Sequence, residues 1–140
     1  MPASRLPELL LVEPETLLRR TIAMTVHGAH LAKMHEAASV DSARGMLVRR
    51  RFDGAVIAID LDNPQQEGGP LGLLEMLRGA RSVSDAAVPI AVMVDRCDAT
   101  LLNALRSFGV SRIIIKPFRA RAVIDAIAEL GKAARTLPPG

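Results

Sequence analysis

Five charged residues follow short apolar runs in the sequence, at points where the strands of a sheet would end. They are Glu13, Glu15, Asp60, Asp62 and Lys116. Because parallel strands end at the same edge of a sheet, we expect these side chains to lie close together. Carboxylate oxygens are ligands that Mg²⁺ accepts, and a lysine among them forms an ion pair with one of the carboxylates.

Of these two kinds of chemistry, we expect the ion pair, formed by Lys116 with Glu13 or Asp60, and no resident metal. A cation held by Glu13 and Asp60 is the alternative. The other candidate ligands, His27, His30, His35 and Cys97, have no metal-ligand spacing. The run GGPLG (68–72) precedes a predicted helix but lacks the Lys-Ser/Thr ending of a phosphate-binding P-loop.

The elements that must position these residues follow from the hydrophobic pattern. Apolar runs alternate with amphipathic segments, which predicts an α/β fold with a parallel sheet and helices on both faces. We expect the doubly wound strand order 2-1-3-4-5. The predicted strands are 8–12, 30–37, 54–61, 89–94 and 111–115. The predicted helices are 15–28, 39–51, 71–81, 98–109 and 118–135. Ser39 and Asp98 are the expected N-caps, and Gly28 and Gly109 the expected helix stops. Leu17, Leu18, Ile22 and Met24 have the spacing of an apolar stripe in the first helix, and the run Arg49–Arg51 is expected to be a solvated helix end.

Composition limits the class of protein. A chain of 140 residues with 49% hydrophobic residues suits one globular domain. The three Phe, with no Tyr or Trp, make the core aliphatic and count against base stacking on single-stranded nucleic acid. The single Cys97 and the lack of a membrane-length apolar run favour a cytoplasmic protein. No helix-turn-helix motif is recognisable in the sequence, so we do not expect direct DNA binding by this segment.

Three motifs resemble one family. The run GVSRIIIKPF (109–118), together with LLLVEPETLLRR and FDGAVIAIDL, resembles the receiver domain of two-component response regulators over about residues 7–131. The resemblance implies the flavodoxin-like receiver fold. It also implies that Lys116 occupies the position of the family's phosphoryl-contacting lysine, and that the Lys116–Pro117 peptide bond is cis.

The family's phosphorylated aspartate falls on Ala58 when the third strand is read without gaps, five residues after Asp53. The alternative is Asp60, because the family has Pro four residues after the acceptor and Pro64 stands there. We prefer Ala58, because Asp60 requires two extra residues inside a buried strand. An insertion in the following loop costs much less.

Three further positions depart from the family's pattern. Pro14 follows Glu13 where the family has a second carboxylate for Mg²⁺, Val94 replaces a hydroxyl residue, and Ile113 replaces the aromatic switch residue. Because phosphoryl transfer depends on positioning and charge stabilisation, both alignments predict weak or absent phosphorylation. Lys116 is then expected to pair with a carboxylate of a vestigial pocket.

We therefore expect a phosphorylation-independent receiver-like interaction module of bacterial two-component signalling, not an enzyme, because no nucleophile–base pair can be named. Residues 1–131 form the receiver-like domain and 132–140 a C-terminal tail. A protein partner or a second copy would bind the surface of helix 4, strand 5 and helix 5. That surface carries Arg106, Arg112, Arg119 and Arg121. The alternatives are a Mg²⁺-dependent switch phosphorylated on Asp60, and binding of an anion such as a cyclic dinucleotide by the arginine-rich face.

Overall fold

The computed structural model describes residues 5–61, 71–79, 84 and 86–136. Five strands alternate with five helices in this part of the chain. The strands are β1 (Glu8–Val12), β2 (Lys33–Ala37), β3 (Gly54–Ala58), β4 (Ile90–Val94) and β5 (Arg112–Ile115). The helices are α1 (Thr16–Gly28), α2 (Val40–Arg49), α3 (Gly72–Arg78), α4 (Ala99–Ser107) and α5 (Ala120–Thr136). The predicted succession of elements is confirmed.

The five strands form one parallel sheet in the order β2-β1-β3-β4-β5. This is the predicted doubly wound order, in which β1 and β3 are neighbours at the switch point. The central strands are almost entirely apolar because both of their faces are covered by helices. The carboxyl ends of the strands therefore meet at one edge, as expected from the sequence.

Side chains of each strand alternate between two apolar clusters, one on each face of the sheet. Leu9, Leu11 and Val56 belong to the cluster that packs against α1 and α5. Leu10 and Ile57 belong to the cluster that packs against α2, α3 and α4. Each face of the sheet is thus sealed by its own set of helices. Within the described residues, no helix has both the length and the hydropathy needed to cross a membrane.

The helices begin and end at residues whose side chains or backbone conformations favour a helix terminus. The Ser39 hydroxyl accepts from the Ser42 amide, and the Asp98 carboxylate accepts from the Leu101 amide, so both predicted N-caps are confirmed. Gly109 has φ of 68° directly after α4, a conformation that glycine adopts at low cost. The prediction that Gly28 caps α1 is wrong in detail. Gly28 is the last helical residue, and the positive φ falls on His30.

Three details differ from the sequence expectations. Leu17 and Met24 were expected in the buried stripe of α1 and are 75% and 66% exposed, because Ile22, Ala23 and Val26 form that stripe instead. Strand β3 ends at Ala58 and does not continue to residue 61. Helix α5 begins at Ala120 and not at residue 118, and it ends at Thr136, one residue beyond the predicted end.

The amino ends of the strands are joined by a network around Glu8. Its Oε1 lies 2.9 Å from His35 Nε2 and accepts from Arg50 Nη2 at 2.9 Å. The His35 ring meets the Phe52 ring edge-on, and the Arg50 guanidinium lies 5.5 Å from the centre of the Phe52 ring. The interpretation of Arg49–Arg51 as a solvated helix end holds for the exposed Arg49 and Arg51. Arg50, the residue that caps α2, pairs with Glu8 of β1 instead.

We predict that Glu8→Gln destabilises the protein at neutral pH and has no effect in acid. The hydrogen bond from His35, with the charges of His35, Arg50 and Lys33, holds the pKa of Glu8 below its ordinary value despite the opposing effect of burial. Ionised Glu8 therefore stabilises the folded state above the ordinary pKa of a glutamate, and this contribution is lost as the pH falls through the lower folded-state pKa.

Urea unfolding of parent and variant over a series of pH values measures this difference. The gap in unfolding free energy should close as the pH falls. Glu75→Gln on the exposed side of α3 is the matched control and should leave the pH profile unchanged. A gap that stays constant from neutral to acidic pH would contradict the role of the Glu8 charge.

Candidate functional site

The carboxyl edge of the sheet brings together residues that are far apart in the sequence. Glu13 follows β1, Ala58 ends β3, Val94 ends β4 and Lys116 follows β5. The Lys116 amide donates to the Val94 carbonyl at 2.8 Å, which extends the pairing of β4 and β5 by one residue. Because Leu11, Ala58 and Ile114 belong to the same face of the sheet, the side chains that continue this face meet beside α1 and α5.

An ion pair between Lys116 and Glu13 is the central interaction of this edge. Lys116 Nζ donates to Glu13 Oε1 at 2.7 Å. Glu13 is 2% exposed and the Lys116 side chain 24% exposed, so the pair is shielded from water on the carboxylate side. The second oxygen, Glu13 Oε2, accepts from the Glu15 amide at 3.0 Å. Both oxygens of the buried carboxylate are thus satisfied by donors of the protein itself.

The backbone of Glu13 is held as firmly as its side chain. Its amide donates to the Ala37 carbonyl of β2 at 3.1 Å. Its carbonyl accepts from Arg19 Nη1 at 3.0 Å, and Arg19 Nε donates to Glu36 Oε1 at 3.2 Å. Arg19 therefore links α1 to the ends of β1 and β2. Sequence reasoning did not single out Arg19; its position four residues after Glu15, in the first turns of α1, was the available signal.

The side chains at the end of β3 are apolar and offer no oxygen ligand to this pocket. Ala58 is the last residue of the strand and packs, partly buried, on the same face as Val56. Ile59 donates its amide to Met93 at 2.9 Å and is 5% exposed in the opposite cluster. Asp60, the next residue, is exposed. Asp62, and the Pro64 that favoured Asp60 as the acceptor, lie outside the described residues.

The other positions of the pocket are equally short of oxygen ligands. Pro14 is exposed between Glu13 and α1. Val94 is 1% exposed and packs, with the partly buried Ile113, in the cluster under α2, α3 and α4. The Lys116–Pro117 peptide bond is cis, as the resemblance implied.

A cleft of about 360 Å³ opens beside the ion pair, and its charged lining is mixed. The described lining residues are Glu15, Leu18, Asp95, Lys116, Pro117 and Phe118. Magnesium needs several oxygen ligands, commonly carboxylates. Both oxygens of Glu13 are already engaged, and an ammonium group stands beside them, where its charge repels a divalent ion. Within the described residues, no three His, Cys, Asp or Glu side chains are grouped as metal ligands. The described residues of this pocket do not fit a magnesium site.

Comparisons with known proteins agree with this architecture. No protein-family model matches the chain, and a search of curated proteins finds no significant match. The solved structures that it resembles include the non-phosphorylated HemR receiver domain from Leptospira biflexa, with 18% identity, a TM-score of 0.76, and 96% of this chain and 98% of that chain covered. Chemotaxis protein CheY4 of Vibrio cholerae has 14% identity and a TM-score of 0.74, with 89% and 98% covered.

A third similar structure is the signal receiver domain of a putative LuxO repressor protein from Vibrio parahaemolyticus, with 18% identity, a TM-score of 0.76 and 93% of both chains covered. The chain has the receiver-domain fold. At these identities the likeness concerns the fold, and the chemistry of the pocket must be argued from this chain's own residues.

The receiver fold places the four predicted surface arginines around α4, β5 and α5, where two of them are already paired. Arg112 Nη1 lies 2.6 Å from Glu129 Oε1, and Arg121 Nε lies 3.4 Å from Asp125 Oδ1. Arg106 and Arg119 are exposed and make no ion pair with the described residues. The surface is therefore a mixture of both charges, which the count of arginines in the sequence did not indicate.

We predict that Lys116→Met destabilises this receiver fold by about 2 kcal/mol or more, because it leaves the Glu13 carboxylate buried without a counter-ion. The double variant Glu13→Gln/Lys116→Met should lose less stability than the sum of the two single variants. Chemical unfolding of all four proteins gives the coupling energy.

The exposed pair Arg121–Asp125 is the matched control, since surface pairs of this kind contribute at most about 1 kcal/mol. The cycle Arg121→Met and Asp125→Asn should give a coupling near zero. Equal coupling energies for the two pairs would contradict the importance assigned to the buried one.

Proposed function

We propose that this chain is a phosphorylation-independent receiver-like interaction module of bacterial two-component signalling. It works in the cytoplasm, without catalytic activity, by presenting a fixed surface of α4, β5 and α5 to a second copy or a partner protein. The observation that carries the proposal is the Lys116–Glu13 pair, set beside a β3 end made of Ala58 and Ile59.

The chemistry of phosphorylation explains why this observation matters. An acyl phosphate needs a carboxylate within reach of cationic groups that stabilise the transferring phosphoryl. In this chain Lys116 already donates to Glu13, and the side chains that end β3 and β4 are hydrocarbon. A phosphoryl group placed here would have to break the ion pair and would find no hydroxyl at Val94. The pocket therefore favours the Lys116–Glu13 ion pair and offers no second arrangement in which Lys116 would bind a phosphoryl group.

We predict that the protein takes up no phosphoryl group when incubated with Mg²⁺ and a small phosphodonor such as acetyl phosphate. Intact-mass spectrometry should find only the unmodified chain, and Asp60→Asn should behave identically to the parent. A phosphodonor-reactive receiver domain, run in parallel, is the positive control. Stoichiometric labelling that disappears in Asp60→Asn would overturn the proposal in favour of an Asp60 switch.

The proposed surface combines an exposed aliphatic side chain with charges of both signs. Ile115, at the end of the edge strand β5, is 52% exposed. The pairs Arg112–Glu129 and Arg121–Asp125 flank the strand along α5. An apolar centre surrounded by charged residues is the usual composition of a protein interface. Two of the four arginines of this face are already paired, which leaves Arg106 and Arg119 as exposed guanidinium groups and makes the face less favourable for a cyclic dinucleotide.

Arg78 supports the idea that this surface is fixed. Its guanidinium donates to the Phe108 and Gly109 carbonyls after α4, at 2.7 and 3.3 Å. It also donates to the Ala86 and Val88 carbonyls before β4, at 2.9 and 2.6 Å. Burial lowers the pKa of this guanidinium, and the four carbonyls compensate by accepting its hydrogen bonds. The end of α4 is thereby tied to the start of β4.

We predict that Ile115→Glu weakens self-association about tenfold or more, because a carboxylate replaces an apolar contact at the centre of the interface. Sedimentation velocity over a concentration series measures the effect. Leu17→Glu is the matched control, since Leu17 is 75% exposed on α1 and away from the proposed surface.

The same sedimentation experiment distinguishes a second copy of the chain from a different protein as the partner. A parent protein that remains monomeric at every concentration excludes the second copy and leaves a different protein as the partner. Dissociation caused by Leu17→Glu, with Ile115→Glu unchanged, would place the interface on α1 and contradict the proposed surface.

A further inference from the structure

A cluster of positive charge lies at the amino edge of the sheet, opposite the pocket described above. We define the basic edge by five residues that precede β1, begin β2, or lie between the last turn of α2 and β3. They are Arg5, Lys33, Arg49, Arg50 and Arg51. Because the strands are parallel, the chain enters all of them at this edge, and α2 ends there before β3 begins.

The basic edge holds more positive charge than its own carboxylates can neutralise. Glu8 and Asp53 are the acidic residues in these segments. Glu8 is bound by His35 and Arg50, and Asp53 Oδ2 accepts from the Glu8 amide at 2.8 Å. Five cations against two carboxylates leave a local charge of +3, equal to the formal charge of the whole chain. The formal charges of the remaining residues sum to zero, so the excess positive charge of the sequence can be assigned to these segments.

Three of the five cations make no ion pair with the described residues, and a fourth, Arg5, is exposed although it pairs with Glu8. The Arg5 side chain is 85% exposed and lies 3.6 Å from Glu8. Lys33, Arg49 and Arg51 are exposed and form no ion pair with the described residues. Arg50 is different, because it is held by Glu8 and the Phe52 ring. The exposed guanidinium and ammonium groups are therefore hydrated donors that would exchange water for an incoming anion.

A cleft of about 530 Å³ enters this edge, and part of its wall is apolar. The described lining residues are Arg5, Leu6, Glu8, His27, Ala32 and Lys33. Leu6 is 40% exposed, whereas Ala32 forms the buried floor. The cleft thus offers room for an aliphatic side chain between two cations, a combination that a simple phosphate backbone does not match.

The adjacent edge strand is closed to backbone pairing at its centre. Met34 directs its amide away from β1, and this amide donates to His27 Nε2 at 3.0 Å. A partner strand would need that donor to extend the sheet beyond β2. A bound segment must therefore be recognised through its side chains.

From these observations we infer that the basic edge binds an acidic peptide segment of a partner protein, with carboxylates facing the exposed cations and an aliphatic side chain in the cleft. Nucleic acid is less well matched, because the aromatic residue of this region, Phe52, is 3% exposed and unavailable for base stacking. The inference does not depend on the proposed function, because the two surfaces lie at different places in the fold.

The test uses the full-length chain and a fluorescent peptide of alternating glutamate and leucine. Fluorescence anisotropy should detect saturable binding that weakens as salt is raised, because exposed charges are screened. Arg49→Glu/Arg51→Glu lowers the net charge by four and should weaken binding about tenfold or more. The matched control Arg106→Glu/Arg119→Glu changes the net charge equally at α4 and α5 and should leave the affinity within about twofold of the parent.

Circular dichroism verifies that each variant folds, and Arg49→Gln/Arg51→Gln is a milder second variant that should weaken binding in the same direction. Amide shifts on peptide binding should cluster at residues 5–8, 31–35 and 49–53. Absence of binding at low salt, equal loss in the control variant, or shifts confined to residues 112–121 would each overturn the inference. Tighter binding of single-stranded DNA of equal charge would overturn the assignment to an acidic peptide.

Discussion

The buried ion pair of Glu13 and Lys116 is the interaction on which the organisation of the carboxyl edge depends. It joins the ends of β1 and β5 across 103 residues of chain, at the carboxyl edge where open parallel α/β sheets bind their ligands. A buried carboxylate is tolerated only when it is paired and fully hydrogen-bonded. Lys116 and the Glu15 amide provide those partners, while Arg19 holds the Glu13 carbonyl. The contacts that stabilise the buried Glu13 carboxylate also occupy both of its oxygens, which are then not available as metal ligands.

A second consequence concerns conformational change. A switch requires two states of similar free energy and a ligand that binds one of them better. The side chains of Ala58, Ile59 and Val94 provide no polar group for an incoming phosphoryl, and Arg78 ties the end of α4 to the segment before β4 through four carbonyl groups. Both features favour the fixed surface of the proposed function. The two charged surfaces differ in their pairing: two of the four arginines of α4, β5 and α5 are paired within that face, whereas three exposed cations of the basic edge make no ion pair with the described residues.

The clearest sequence signals were those with a local physical cause. The alternation of apolar runs with amphipathic segments predicted the parallel sheet, and Ser39 and Asp98 marked helix starts through their capping oxygens. The run ending in Lys116–Pro117 predicted the receiver fold. The stripe of α1 was assigned wrongly at Leu17 and Met24, because several residues of an apolar-rich helix satisfy helical spacing and only packing selects among them.

The sequence by itself determined the fold class through periodicity, and the scarcity of oxygen ligands at the predicted pocket positions through residue type. The strand order was expected from the doubly wound arrangement that such an alternation favours. Only the tertiary structure decided that Lys116 pairs with Glu13, that β3 ends at Ala58, and that Arg112 of β5 pairs with Glu129 of α5. It also decided that Arg50 turns inward to Glu8 while Arg49 and Arg51 stay exposed. Each of these facts is a distance between residues remote in the chain or a choice of side-chain direction, and neither quantity is encoded in a local pattern.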